Sequence, residues 1–373
     1  MTKHPALKAT GWLAALGCLL PLGAAAQTAT ATLVCKVCWI SGISADGKSA
    51  TGQMNDNYET FLWKRGSAAQ RLGRSTVDVL GVSGGWPAIS ADGQTIASSI
   101  LSDDGTLMTS GIWSNGVWSQ IGPLPDDVGS GDSQDSAVWA MSGDGKTVAG
   151  LYWRYGQTGG LAHPYTWKAG TQMIDLGTSG GSGRINGASH DGSVMAGWQE
   201  DVGTGSWAAT VWVNGQRTQL GAPGGFGMAQ AVSPDGAYVV GQDSNPKNGR
   251  AEAAMWHWNG SSWDRTSLGV LKGTVSGDAY ANGVSADGKV VVGFGKKEWG
   301  PGGAIGWVWT QKRGRMVPAK AFFAEFGYND PEFDIGWVMA VSPDARSFAV
   351  VETMIKQPFM QRSKVIRLSS AAQ

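Results

Sequence analysis

Ala231-Val232-Ser233-Pro234-Asp235-Gly236 is the stretch on which the fold turns. Its order is a small residue, an apolar residue, Ser, any residue, Asp and Gly. The same order recurs at 42–47, 88–93, 140–145, 187–192 and 283–288, and at 340–345 with Ala345 in the last place. The aspartates are Asp46, Asp92, Asp144, Asp191, Asp235, Asp287 and Asp344, spaced by 46, 52, 47, 44, 52 and 57 residues. Spacing of that size marks an array of similar structural units, and it takes precedence over any local motif.

Working outward from the phrase, each unit reads as four short strands. The first ends in the phrase, and the residue two before Ser is Gly or Ala in all seven copies. A strand on a crowded axis, where neighbouring backbones approach closely, would require that. Asp-Gly then makes a hairpin, because Gly accepts positive φ and Asp bonds its own local backbone; Ala345 should strain or alter its turn. A second strand often ends in Gly, as in Thr147-Val148-Ala149-Gly150 and Val239-Val240-Gly241. The third carries a tryptophan (Trp63, Trp113, Trp167, Trp212, Trp256 or Trp309), expected to pack between units. A second turn, such as Asn115-Gly116 or Asn214-Gly215, leads to a fourth strand closing on Leu-Gly or Ile-Gly. Four antiparallel strands in about 50 residues is the size of a propeller blade, and radial stacking leaves only short exposed edges. The expected fold is all-β: a seven-bladed β-propeller formed by residues 27–373 as a single domain. The last repeat lacks a Trp and a second turn, whereas Ala29-Thr30-Ala31-Thr32-Leu33-Val34-Cys35 has no partner of its own. This N-terminal strand should therefore complete the last blade and remove two open edges.

Residues 1–26 read as a cleaved export signal. Lys3 and Lys8 precede an apolar run from Trp12 to Leu22, and Ala24-Ala25-Ala26 offers small residues for cleavage. The run is shorter than the roughly 20 residues a membrane span needs, and no later stretch is apolar enough to cross. Periplasmic or extracellular residence follows. Without Lys3 and Lys8 the chain has 27 basic and 29 acidic side chains. That balance argues against nucleic acid or an anionic membrane as partner, since both call for a clustered positive field. Cys35 and Cys38 form a C-x-x-C that an oxidising compartment would close into a structural disulfide.

His163-Pro164-Tyr165-Thr166-Trp167, followed by Asp175-Leu176-Gly177-Thr178-Ser179-Gly180-Gly181, resembles the HAF-type probable extracellular repeats of bacteria. Thr60-Phe61-Leu62-Trp63 and Leu220-Gly221-Ala222-Pro223-Gly224-Gly225 are weaker copies. Ser233-Pro234-Asp235-Gly236 is also similar to TolB-type propeller repeats. The resemblance implies export and repetition and carries no shared catalytic residues.

Most catalytic patterns fail on their surroundings. Gly-x-Ser-x-Gly occurs at 81–85 and 177–181, but in glycine-rich connections rather than at the strand-to-helix turn a nucleophile elbow needs. Ser189-His190-Asp191 holds three triad residue types in adjacent positions, which cannot form a relay. No cofactor signature is present. Asp126, Asp127, Asp132 and Asp135 lie in one glycine-rich stretch, where calcium could find oxygen ligands or the loop could simply be solvated.

The loops joining second to third strands, and blade to blade, should share one face. Trp86, Trp153, Tyr155, Trp198, Trp207 and Trp299 fall there, with Glu200, Asp201 and Glu298 as the nominated acids. Aromatics beside amides and carboxylates suit stacking on sugar rings or anchoring a protein; they also suit plugging the loops. The expectation is a monomeric, non-enzymatic binding propeller for a glycan or for a cell-envelope or extracellular protein. The alternatives are a polysaccharide lyase or glycosidase, which would need converging carboxylates, and a structural or passenger module without a defined site.

Overall fold

The seven aspartates close seven hairpins, and each hairpin begins one four-stranded antiparallel sheet. The computed structural model describes residues 1–2, 27–122, 135–154, 160–177, 180–221, 224–274, 279–297 and 303–372. Blade 4 shows the plan, with strands Gly183–Ala188, Val194–Asp201, Ser206–Val213 and Gln216–Gln219 running outward from the axis. The inner strand of each blade touches the inner strand of the next, and that of blade 7 (Phe333–Val341) touches that of blade 1 (Cys38–Ile43), so the ring closes. Closure follows the expected route. Ala29–Cys35 pairs antiparallel with Gln357–Leu368, from Ala29 opposite Leu368 to Cys35 opposite Ser363, as the outermost strand of blade 7. A Cys35–Cys38 disulfide then ties that strand to the first strand of blade 1.

The recurring phrase is a hydrogen-bonded knot. In every copy the Ser hydroxyl donates to the Asp carboxylate two residues on, at 2.5–2.8 Å. The same carboxylate accepts the N–H two residues further along, and the Ser oxygen accepts the N–H that opens the second strand, as in Lys48 and Ser49 of blade 1. The residue after Asp has positive φ in all seven, including Ala345 at 54°. Ala345 therefore keeps the turn and holds an L side chain in the left-handed region. Ser102-Asp103-Asp104-Gly105 builds the same knot at the opposite end of blade 2, with Ser102 bonded to Asp104 at 2.6 Å and Gly105 at φ 74°. The turns are also stitched together around the axis. Ala45 N–H reaches Ala91 O, Ala91 reaches Gly143, Asp144 reaches His190, His190 reaches Pro234, and Ala286 reaches Pro343. The circle lacks a bond where Pro234 and Pro343, which have no N–H, would have to donate.

Between blades, Trp63, Trp212 and Trp256 are fully buried, Trp167 and Trp309 nearly so, and Trp113 partly. Two short helices interrupt the all-β pattern, Val77–Leu80 and Ala319–Ala324; the second buries Phe322 and Phe323 against Phe348. Among the described residues, no helix is long and apolar enough to cross a membrane. The expected signal segment lies almost wholly outside the described residues.

Candidate functional site

A β-bulge sits at the same place in six of the seven inner strands. Register shifts between Ile40 and Gly42, Val138 and Ala140, Ile185 and Gly187, Ala229 and Ala231, Ala281 and Gly283, and Val338 and Ala340. The extra residue lies three before the Ser of the phrase: Ser41, Trp139, Asn186, Gln230, Asn282 and Met339. A bulge bends the strand and re-aims a side chain, and here all six line the central channel. Pro87 holds the same position in blade 2 and lines it too.

The bulge accounts for the glycine that ends many second strands. A Cβ on Gly197 would stand 1.8 Å from the Arg184 carbonyl oxygen, and one on Gly293 would stand 1.8 Å from that of Tyr280. Gly52, Gly150 and Gly241 meet the same obstruction. In these five blades the residue opposite the bulge is glycine because the displaced carbonyl occupies the space of its side chain; in blade 7 the position opposite Val338 is Val350.

The channel is a cavity of about 520 Å³. One side is an arc of five aromatic rings. Trp86 meets Trp39 edge-on at 5.8 Å between centroids, Trp39 meets Trp337 at 4.6 Å, Trp337 meets Phe294 at 6.3 Å, and Phe294 stacks on Tyr280 at 4.8 Å. The indole N–H groups of Trp39 and Trp139 are buried without a hydrogen-bond partner. On the other side the Arg184 guanidinium lies 3.5 Å above the Trp139 ring. Its Nε donates to Asn186 Oδ1 at 2.7 Å, and burial pulls its pKa down to about 10. Asn186 and Asn282 donate across blade boundaries to the carbonyls of Ala229 and Val338, and the Ser41 hydroxyl to that of Pro87. These bonds tie blade 1 to blade 2, blade 4 to blade 5 and blade 6 to blade 7 at the lining. Among the described residues, the lining includes no Asp, Glu or His.

The nominated residues divide. Trp86 is in the channel, and its backbone N–H donates to Val138 O of blade 3. Trp153, Trp198, Glu200 and Asp201 lie on second strands, Thr147–Arg154 and Val194–Asp201, and Trp207 opens a third strand. The strands run past the glycine that appeared to end them. Trp198 and Trp207 stack on one another at 4.2 Å, with Trp207 against Phe226 at 5.8 Å, so their faces are largely spent on each other. Glu200 accepts the Ser182 N–H, and Asp201 caps the next turn through Gly203 and Thr204. Neighbours along a strand project to opposite faces, so these two acids do not converge. Asp135 accepts the Met108 N–H. Tyr155, Glu298, Trp299, Asp126, Asp127 and Asp132 lie outside the described residues, and among those described no group of acids, histidines and cysteines is arranged to hold a metal ion.

The HAF-like copy in blade 3 is a buried pin. Asp175 accepts from Tyr152 and bonds His163 Nδ1 at 2.8 and 2.9 Å. Burial alone would raise its pKa; the bonds from His163, the Gly177 N–H and Tyr152 outweigh that and hold it below the usual carboxylate range. Blade 5 has a matching pin, in which Arg265 bridges Asp243 and Glu252.

No family model matches this sequence, and no curated protein matches it either. Solved structures resemble its fold. The propeller domain of the Trilobed protease from Pyrococcus furiosus aligns with a TM-score of 0.53 at 12% identity, over 88% of this chain and 95% of that one. The tricorn protease gives 0.53 at 10%, over 92% of this chain and 36% of that one. TolB from Acinetobacter baumannii gives 0.44 at 13%, over 88% of this chain, which spans 63% of TolB's length. At these identities the likeness concerns the propeller fold. The propeller expectation is met, and neither TolB-type nor HAF-type membership has a family match behind it.

Proposed function

We propose that this propeller is an exported binding protein whose ligand is a glycan, seated in the mouth of the central channel. The observation that carries the reading is the aromatic arc from Trp86 to Tyr280, facing side-chain amides within one cavity. Sugar rings bind by stacking their apolar faces on aromatic rings while amides take up hydroxyl groups, and a rigid scaffold lowers the ordering cost of the site. The lining favours retention over hydrolysis, since glycosidase chemistry uses two carboxylates roughly 5–9.5 Å apart. A peptide adding itself to an inner strand would need an unbroken edge, and the bulges interrupt that edge in six blades. The Lys-initiated apolar leader and the Cys35–Cys38 disulfide support work outside the cytoplasm.

A glycan array probed with the purified protein tests this. Binding by wild type that is lost in the double variant Trp39→Ala, Trp86→Ala, with unfolding temperature retained, is the expected result. An array without signal contradicts the reading.

A further inference from the structure

Among the described residues, Arg184 is a cation without a counter-ion. No carboxylate lies within ion-pair distance of it among the described residues. Among the described residues its terminal nitrogens make no hydrogen bond to oxygen, and one of them meets the Met228 sulfur at 3.6 Å. Trp139 covers one face of the guanidinium at 3.5 Å, and Trp198 lies 5.6 Å away. Elsewhere in this protein partly buried arginines are matched: Arg265 with Asp243 and Glu252, Arg362 with Asp330 and Glu352. Taking an unpaired cation out of water is costly. Arg184 is nevertheless held by Asn186 on the wall of a cavity whose described lining contains no carboxylate.

We infer that the ligand is an acidic glycan, and that Arg184 receives the carboxylate of a uronate unit while the sugar ring lies among the channel aromatics. This rests on the glycan reading above and narrows it. The planar fork of a guanidinium matches a carboxylate bidentately, and bonds between two charged groups are about twice as strong as neutral ones. A cationic ligand, which aromatic walls alone would suit, is opposed by the charge of Arg184.

The test titrates matched oligosaccharides into the purified protein: oligogalacturonate with neutral galacto-oligosaccharide, oligomannuronate with manno-oligosaccharide, and cello-oligouronate with cello-oligosaccharide. The acidic member of at least one pair should bind more tightly, and its advantage should shrink as salt rises. Arg184→Gln should weaken that acidic ligand by roughly tenfold or more, the scale of a lost charge-assisted bond. The neutral partner should change little, and Arg184→Lys should retain part of the preference. Neutral members binding as well as acidic ones, or Arg184→Gln keeping the full acidic preference at an unchanged unfolding temperature, overturns this inference and leaves the glycan reading standing. Failure of all six ligands to bind overturns this inference, and the array then decides the glycan reading.

Discussion

At the scale of single residues, the site depends on glycines that never touch it. Gly293 faces the displaced Tyr280 carbonyl, so Gly293→Ala cannot be absorbed without moving the inner strand. The expected cost is about 3 kcal/mol, the range of severe backbone clashes. Gly116, with nothing within 4 Å of its absent Cβ, should lose only about 1 kcal/mol on the same change, from its positive φ. Denaturant unfolding of the two variants compares them directly. Ala345 is the reverse case. Its φ of 54° puts a methyl where the other six copies have none, but that methyl is buried in the core of blade 7, so Ala345→Gly trades relief of strain against lost packing and should change stability by less than about 1 kcal/mol. The same scale shows why the channel was hard to read in the sequence. Ser and Asp stand out because every turn needs them. The bulge position reads Ser, Pro, Trp, Asn, Gln, Asn, Met, and its variety looks like noise until the bulge shows that this side chain is the one that lines the channel. The available signal was polar residues inside otherwise small and apolar strands.

At the scale of elements, the turns and the closing strand were legible because their chemistry is local. Asp-Gly and Asn-Gly fix hairpins within a few residues, and an orphan strand at one terminus matches a missing one at the other. Strand length was less legible. A second strand that continues beyond its glycine carries Trp198, Glu200 and Asp201 onto the sheet, and only the inner-strand partner explains why the glycine does not end it. The helix Ala319–Ala324 was missed because six residues with two adjacent phenylalanines give no periodic signal. The turns also make an acid-sensitive element. The Asp191 carboxyl is lowered to about 2 by the Ser193 N–H and hydroxyl and the Ser189 hydroxyl, and Asp92 is lowered chiefly by the Ser90 hydroxyl. A carboxyl depressed in the folded state stabilises above its unfolded pKa of roughly 3.9 and loses that contribution as pH falls toward the folded value. Urea midpoints should therefore be flat above about pH 4.5 and fall between about pH 4 and 2, with a shallower fall in Asp191→Asn. The disulfide encloses only the residues from Cys35 to Cys38, so chain entropy assigns it about 2 kcal/mol. Thermal unfolding with and without reductant should show a modest shift and no loss of the fold.

At the scale of the whole molecule, seven similar sheets enclose a channel whose wall is not similar around its circumference. Blades 1, 2, 6 and 7 contribute the aromatic arc and blades 3 and 4 the Trp139–Arg184 pair, so a ring built from repeats presents an asymmetric site. Repetition announced the ring; that asymmetry could not be placed without knowing which residue of each strand faces the axis. The outer surface offers a rival in Trp258 and Trp263, a ring pair at 5.5 Å with Trp258 41% exposed. Hydroxyl-radical footprinting of the protein with and without a glycan found on the array separates the two and tests the account most directly. Oxidation of Trp39, Trp86 and Trp337 should fall on binding while that of Trp258 and Trp263 is unchanged. Protection confined to Trp258 and Trp263, with the channel tryptophans as reactive as in the free protein, would contradict it.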